Sequence, residues 1–470
     1  MISPEKGLPS SFNPDTGQNI KWSAELGSQT HSTPVVAGGR VLIGTNNDHP
    51  RDPKHQGDRG VLLCLDGRDG HLLWQLVCPK LEDDQYLDWP KAGMCSSPTV
   101  EGDRAYTLTN RGELVCLDMK GLADGNQGPY QDEARHMTPR GAEAITSGTT
   151  DADILWLTDL VSHPQIGIHP HDQIFGSVLL DGDLLYVNSC NGVDNTHRVI
   201  RRPDAPSLVV FDKHTGRLVA KDDLRLGPNI FHATWCPPSL GEVNGRKVIF
   251  FGGGDGVLYA FEALQDIPPP GQVATLKPLW HFDPDPTAPK QDVHKYLHNF
   301  RESPSVIMGM PVFVDGRIYF TAGGDVWWGK RQGWLKCVDA GKPDATGPLS
   351  ETWSYALTKN TCCTPAVADG LVLVADLAGV IHCVDAATGH PYWTHQTAGP
   401  FWASPLVADG KVFIGNRRGE FLVLQASNEK RLLSTIDLQS PISATAVAAN
   451  GVLYVTTMSH LYAIHQPPHP

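Results

Sequence analysis

An all-β fold, a closed ring of eight four-stranded antiparallel blades, is what this sequence predicts, and three observations carry it. A short sheet-forming unit recurs from one end of the 470 residues to the other. The recurrences align on the same Pro and hairpin-Gly positions. The last unit lacks a strand, and the start of the chain supplies one.

The unit is clearest over residues 362–393, CCTPAVADGLVLVADLAGVIHCVDAATGHPYW. Residues 364–368 alternate as a first strand, Asp369-Gly370 turns, and residues 371–375 form a β-branched second strand. Leu377-Ala378-Gly379 turns again into a third strand at 380–384, and the polar corner 385–389 leads to a fourth that opens at Tyr392-Trp393. A lone four-stranded sheet cannot bury both its faces, so such a unit needs neighbours.

Eight first strands fall in register. They begin at His31 (HSTPVVAGG), Cys95, Phe175, Trp235 (WCPPSLGEVNG), Met308, Cys362, Trp402 (WASPLVADG) and Ser443. Seven match closely, and the fourth reads as carrying an extra turn over 241–244. Third strands follow at Val61, Leu114, Leu208, Val257, Trp334, Val380, Phe421 and Leu461. The shortest repeat, Pro365 to Pro405, is 40 residues, the length of a propeller blade. The eighth unit ends at Ile464-His465 after three strands, and DTGQNIKWSAEL near the start reads as its missing fourth. Pairing the two closes the ring and removes an exposed edge. The whole chain, 1–470, is then one propeller domain, with an N-terminal arm at 1–12.

Composition narrows the function. A net charge of −13 argues against nucleic acid as a partner, since that requires a basic face. No apolar run approaches the roughly 18 residues of a membrane span. The first residues, MISPEKGLPSSFNPDTG, have neither the basic nor the apolar region of a signal peptide. Cys64, Cys116, Cys337 and Cys383 occupy one core slot of the third strands and read as buried thiols, while Cys95, Cys236, Cys362 and Cys363 start first strands. With no CxxC, neither a zinc ribbon nor a covalent haem is indicated.

The corner Asp-x-x-Thr-Gly-x-x-x-Trp stands at 385–393, is nearly kept at 66–74, and loses its Trp at 212–220. Its Asp and Thr suit the turn's backbone donors, its Gly suits a positive φ, and its Trp offers a flat face to the next blade. This corner resembles the tryptophan-docking motif of the pyrroloquinoline-quinone (PQQ) repeat propellers. That superfamily includes quinoprotein alcohol dehydrogenases and the propeller lipoprotein of outer-membrane assembly. SCNGVDNTH, GGGDGVLYAFEA and GGDVWWGKRQGWLKCVDA resemble its uncharacterised bacterial branch. The resemblance covers essentially the whole chain and implies a periplasmic or extracellular setting. It speaks for the fold more than for an activity.

In such a ring the fourth-to-first and second-to-third connections share one face, and nearly all the elaborated loops are of these kinds. They start at Asn46, Glu82, Val161, Asn191, Leu226, Pro284 and Gly323. The insert at 119–153 joins a third strand to a fourth and so belongs to the other face, where its polar composition predicts a mobile loop. A loop-decorated channel mouth is where a small molecule or a protein partner binds.

His163, His169, His171, His232, His294 and His298 fall in those face loops. Of these, His169, His171 and His232 with Asp172 are the candidate metal ligands, although a polar surface loop has the same composition. Trp235, Trp327, Trp328 and Trp402 are able to stack on a planar ligand, and Arg201, Arg202, Arg301 and Arg331 to pair with its carboxylates; the same rings also suit plugging the channel. PQQ is such a planar tricarboxylate. Cys362-Cys363 sits where the quinoprotein dehydrogenases carry a ring disulfide against the quinone. Thr364-Pro365 departs from that family's polar run, and its calcium ligands and catalytic Asp have no match here, so two reduced core cysteines is the preferred reading. Residues 252–256, GGGDG, lie between strands and form a hairpin turn rather than a phosphate loop. The expected function is a binding or scaffold propeller working through one decorated face. The alternative, implied by the resemblance, is a dehydrogenase using PQQ and calcium to oxidise an alcohol or sugar. A hydrolase would need a nucleophile and base assembled from distant loops.

Overall fold

The computed structural model describes residues 1–81, 85–341, 349 and 351–466. They form eight sheets with antiparallel four-stranded blades, seven of which run in chain order from a short inner strand to an outer one, while Ile2–Ser3 and Ala274–Thr275 add a short parallel strand to two of them. In the sixth blade these are Ala366–Ala368, Leu371–Ala375, Val380–Asp385 and Pro391–Gln396. Leu371–Ala375 is buried throughout, because both its faces meet neighbouring blades, whereas Pro391–Gln396 alternates towards solvent. The inner hairpin turns on Asp369 and Gly370 at φ 51° and 77°, the left-handed pair that a two-residue connection requires.

The eighth sheet is closed by the start of the chain. Ile20–Glu25 pairs antiparallel with His460–Ile464, placing Trp22 opposite Ala463. That is the closure the sequence predicts.

Interlocking of the blades rests on the tryptophans. Trp22, Trp156 and Trp353, each on an outer strand, lie against the corner glycine of the following blade, Gly70, Gly216 and Gly389. A Cβ on Gly389 would stand 2.6 Å from the Trp353 ring. Each indole also donates to a corner carbonyl, as Trp353 Nε1 does to Ala386 at 3.1 Å. Within the corner, Asp385 Oδ1 accepts from the Ala387 and Thr388 amides and the Thr388 hydroxyl.

Three details differ from the sequence reading. The fourth blade has no extra turn: Ser239–Val243 and Arg246–Gly252 form a longer hairpin on an ordinary Asn244-Gly245 turn. The inner strand of the fifth blade is split, Ser305–Val306 and Val312–Val314 both pairing with Arg317–Gly324. The 119–153 insert is built into the wall. Its residues 150–152 hydrogen-bond to Gln75 on the outer strand of the first blade, Met137 joins the core there, and His136 reaches Glu113 at 2.9 Å. Its polar composition hides these few anchors.

Candidate functional site

Loops of six blades meet at one mouth of the ring. Tyr86 and Trp89 come from 80–98, His171 and Asp172 from 160–178, His197 from 189–207, and His232 and Trp235 from 222–238. Asp325, Trp327 and Trp328 come from 325–332, Trp402 from 397–405, and Arg417 from 416–419. All are fourth-to-first or second-to-third connections. Residues 82–84, part of one loop named above, lie outside the described residues.

At the centre are His171, His197, His232 and Asp172, whose ligand-type atoms all lie within 4.8 Å of one another. His171 Nε2 is 3.1 Å from His197 Nε2 and 3.6 Å from an Asp172 oxygen, and His232 Nε2 is 3.8 Å from the other. His171 and His232 are buried. His232 Nε2 and Asp172 Oδ1 make no hydrogen bond among the described residues. Burial, reinforced by the neighbouring imidazoles, pushes His171 far below the usual histidine range and lowers His197, so both are neutral at pH 7. Burial raises Asp172 to about 6, against the pull of His232. Asp172 and His197 hold φ of 58° and 56°, with the Asp172 amide bonded to the Tyr86 carbonyl.

Asp325 organises the second layer. It is 1 % exposed and its Oδ2 lies 3.0 Å from His232 Nδ1. An ionised carboxylate only accepts, so Nδ1 carries a proton, and in the neutral ring Nε2 is left as the lone pair facing the cluster. Oδ1 of the same group accepts from the Trp327 and Trp328 amides at 3.0 and 2.8 Å. Burial would raise this carboxyl, but His232 and the two amides hold it below its ordinary value. One buried side chain thus sets both an imidazole tautomer and a pair of tryptophans.

The tryptophans link this cluster to the axis. Trp327 stands edge-on to His232 and Trp235 at 5.4 Å each, and to Trp402 at 5.8 Å. Trp328 packs against His197 at 5.0 Å and His298 at 4.7 Å. On the far side, the Arg417 guanidinium lies 4.9 Å over the Trp402 ring and donates to Ser443 Oγ. This half-buried cation has no carboxylate at ion-pair distance among the described residues. His31 faces Trp402, and burial followed by Arg417 lowers it to about 4. Cys362 is half-buried beside Trp402, Cys363 is fully buried with its thiol on the Ala403 carbonyl, and both are free.

The expected site is therefore partly assembled. His171, Asp172 and His232 come together, but His169 is not in the cluster: its amide bonds Asn191, and His197 takes the fourth place. Trp235, Trp327 and Trp402 form one run of ring contacts, Trp328 packs on His197 beside it, and Cys362 and Cys363 lie at the Trp402 and Ala403 carbonyls. Arg301 and Arg331 are both exposed, and the Arg331 guanidinium lies 5.5 Å over the Phe300 ring. Trp89, Val199, Phe300 and Trp327 expose apolar surface on this face. Arg417, Asp325 and His197 escaped the sequence reading. The signal for His197 was its place in an elaborated face loop.

Calcium with PQQ is a poor fit to the imidazole cluster, which offers three nitrogens and a single carboxylate where a hard cation takes six to eight oxygens. The Trp402–Arg417 wall suits a planar anion without a metal of that kind.

The family model described as outer membrane protein assembly factor BamB matches residues 5–127 and 315–437. A 1-butanol dehydrogenase (cytochrome c) from Thauera butanivorans is 29% identical over 119 residues, a match that spans 22% of this chain and only 17% of that relative. Among solved structures, BamB from Moraxella catarrhalis superposes with a TM-score of 0.56 at 12% identity, covering 95% of this chain and 97% of that one. A europium-containing methanol dehydrogenase gives 0.61 at 13% identity, covering 99% and 96%. At these identities the structural likeness speaks for the propeller alone.

Proposed function

The chain belongs to the family described as outer membrane protein assembly factor BamB, and on that footing we propose that it is a binding propeller whose mouth takes a planar, anionic small molecule. The observation that carries this reading is Arg417: a half-buried guanidinium, stacked on Trp402 and without a carboxylate partner among the described residues. Burying part of a cation costs free energy that an anion recovers, and a flat ring on Trp402 or Trp327 places that anion within reach. The exposed rings of Trp89, Phe300 and Trp327 supply a surround that a protein partner would also use. The family's description as an outer membrane assembly factor supports a setting at the cell envelope for this chain.

A second reading, oxidation of an alcohol, draws on the Cys362-Cys363 pair beside Trp402 and on the dehydrogenase relative. If PQQ occupied the mouth, Trp402 and Trp327 would hold its ring and Arg417 a carboxylate, and the quinone would supply the hydride acceptor.

Titration with PQQ, read by quenching of tryptophan fluorescence, tests the first reading. Saturable binding that weakens about tenfold to a hundredfold in Arg417→Ala supports it, as loss of a charge-assisted hydrogen bond predicts. Absence of saturable quenching overturns it for this ligand class. Dye-linked alcohol oxidation by the loaded protein decides the second.

A further inference from the structure

The imidazole cluster has a chemistry of its own. Two readings account for His171 Nε2 and His197 Nε2 at 3.1 Å: an N–H···N hydrogen bond, or two lone pairs aimed at one ion. Imidazoles on a tetrahedral ion, with bonds of about 2.0–2.1 Å, place their nitrogens about 3.3 Å apart. The hydrogen bond satisfies one pair of atoms and leaves His232 Nε2 and Asp172 Oδ1 buried without partners. An ion at the shared point engages all four groups at once. Buried polar atoms without partners are rare enough that an ion is the economical account.

The surroundings agree. Asp325 fixes the His232 tautomer so that Nε2 is the free lone pair, the carboxylate–imidazole support that metal-ligating histidines usually have. No Lys or Arg pairs with Asp172 among the described residues, so its charge is open to a cation. Tyr86, Trp235, Trp327 and Trp328 form an aromatic box round the imidazoles, which limits water and strengthens each bond. The other buried cluster, Cys78, Glu113 and His136, differs in its carboxylate: Glu113 already accepts from His136 and Thr109 and faces Arg111 at 3.3 Å.

We propose that His171, His197, His232 and Asp172 form a centre for a divalent first-row transition ion of the zinc and copper class, with Asp325 as positioning residue. Three imidazoles and one carboxylate select that class over calcium and magnesium, which take oxygen. The proposal rests on the reading of this mouth as the working site and gives it a metal.

The test uses full-length, tag-free protein stripped with chelator, titrated separately with Zn²⁺ by calorimetry and with Co²⁺ by visible absorption. One strong equivalent, micromolar or tighter, with cobalt bands of a nitrogen-rich site, is expected. His171→Ala and His232→Ala should each remove that equivalent while circular dichroism stays that of the native sheet. Asp325→Asn should weaken it about tenfold to a hundredfold. His71→Ala, in the separate Asp66, Asp69 and His71 group, should leave it intact. Ca²⁺ in hundredfold excess should not displace cobalt. No strong equivalent, binding retained in both histidine variants, or displacement by calcium each overturns the proposal. The metal titration reads the imidazoles and the PQQ titration reads Trp402 and Arg417, so failure of one is distinguishable from failure of the other.

Discussion

Asp325 and His232, 93 residues apart in the chain and carried by the fifth blade and the connection between the third and fourth, meet in a buried 3.0 Å contact at the mouth of the ring. The pair joins the two halves of the site, because Asp325 also caps the Trp327-Trp328 turn.

Asp325→Ala should therefore disturb more than one imidazole. Loss of two backbone caps and one charge-assisted bond should free the tryptophan turn, shifting intrinsic fluorescence towards exposed indole. Emission spectra of the variant and of Asp325→Asn check this, with the Asn variant expected to keep most of the cap.

Asp285 and Lys330 form a buried ion pair that pins the same loop against the connection before the fifth blade. Asp285→Asn leaves Lys330 buried without its partner and should cost about 3–5 kcal/mol in denaturant unfolding. The double variant Asp285→Asn/Lys330→Met should recover much of that loss, because no unpaired charge remains.

The Trp–Gly contacts predict what holds the blades together. Gly389→Ala forces an L-residue to φ 72° with its Cβ against Trp353, and should cost more than the roughly 1–2 kcal/mol of the left-handed conformation alone. Trp353→Ala should cost about 3–5 kcal/mol. Thermal midpoints of both variants measure this, with Gly410→Ala, in an open turn, falling less.

These contacts also mark how far the sequence was legible. Strand, turn and closure were readable because the pattern is local and repeats: Trp74 and Trp393 stand at one offset from their corners, and Trp22 is within one residue of it. Trp156 and Trp353 do the same work, but irregular spacing after their third strands hides them, the first behind the 119–153 insert. Site assembly depends on which loops bend inward, which no period records. His169 and His171 are two residues apart, yet only His171 joins the cluster. Arg417 sits in a short turn that looks ordinary, while Arg301 and Arg331 drew attention by their elaborate loops and are exposed.

The insert should respond to acid. Burial raises Glu113, but His136, Arg111 and Thr109 outweigh it and hold its folded value below the ordinary 4.5. A carboxyl lowered in this way contributes stability above its unfolded value and loses it as pH falls through the folded one. Cleavage within 139–150 by an acid protease should therefore rise as the pH falls below 4.5, and Glu113→Gln should be cut readily already above that pH.

If the imidazole cluster and the Trp402–Arg417 wall act as one working site, Trp327, which meets both His232 and Trp402, couples them. PQQ affinity measured by fluorescence in chelator-stripped and zinc-loaded protein tests this coupling most directly. Coupling predicts saturable binding in which zinc changes the dissociation constant by about fivefold or more, with Arg417→Ala weakening both forms. Equal affinities with and without zinc, or binding indifferent to Arg417, would contradict a single site.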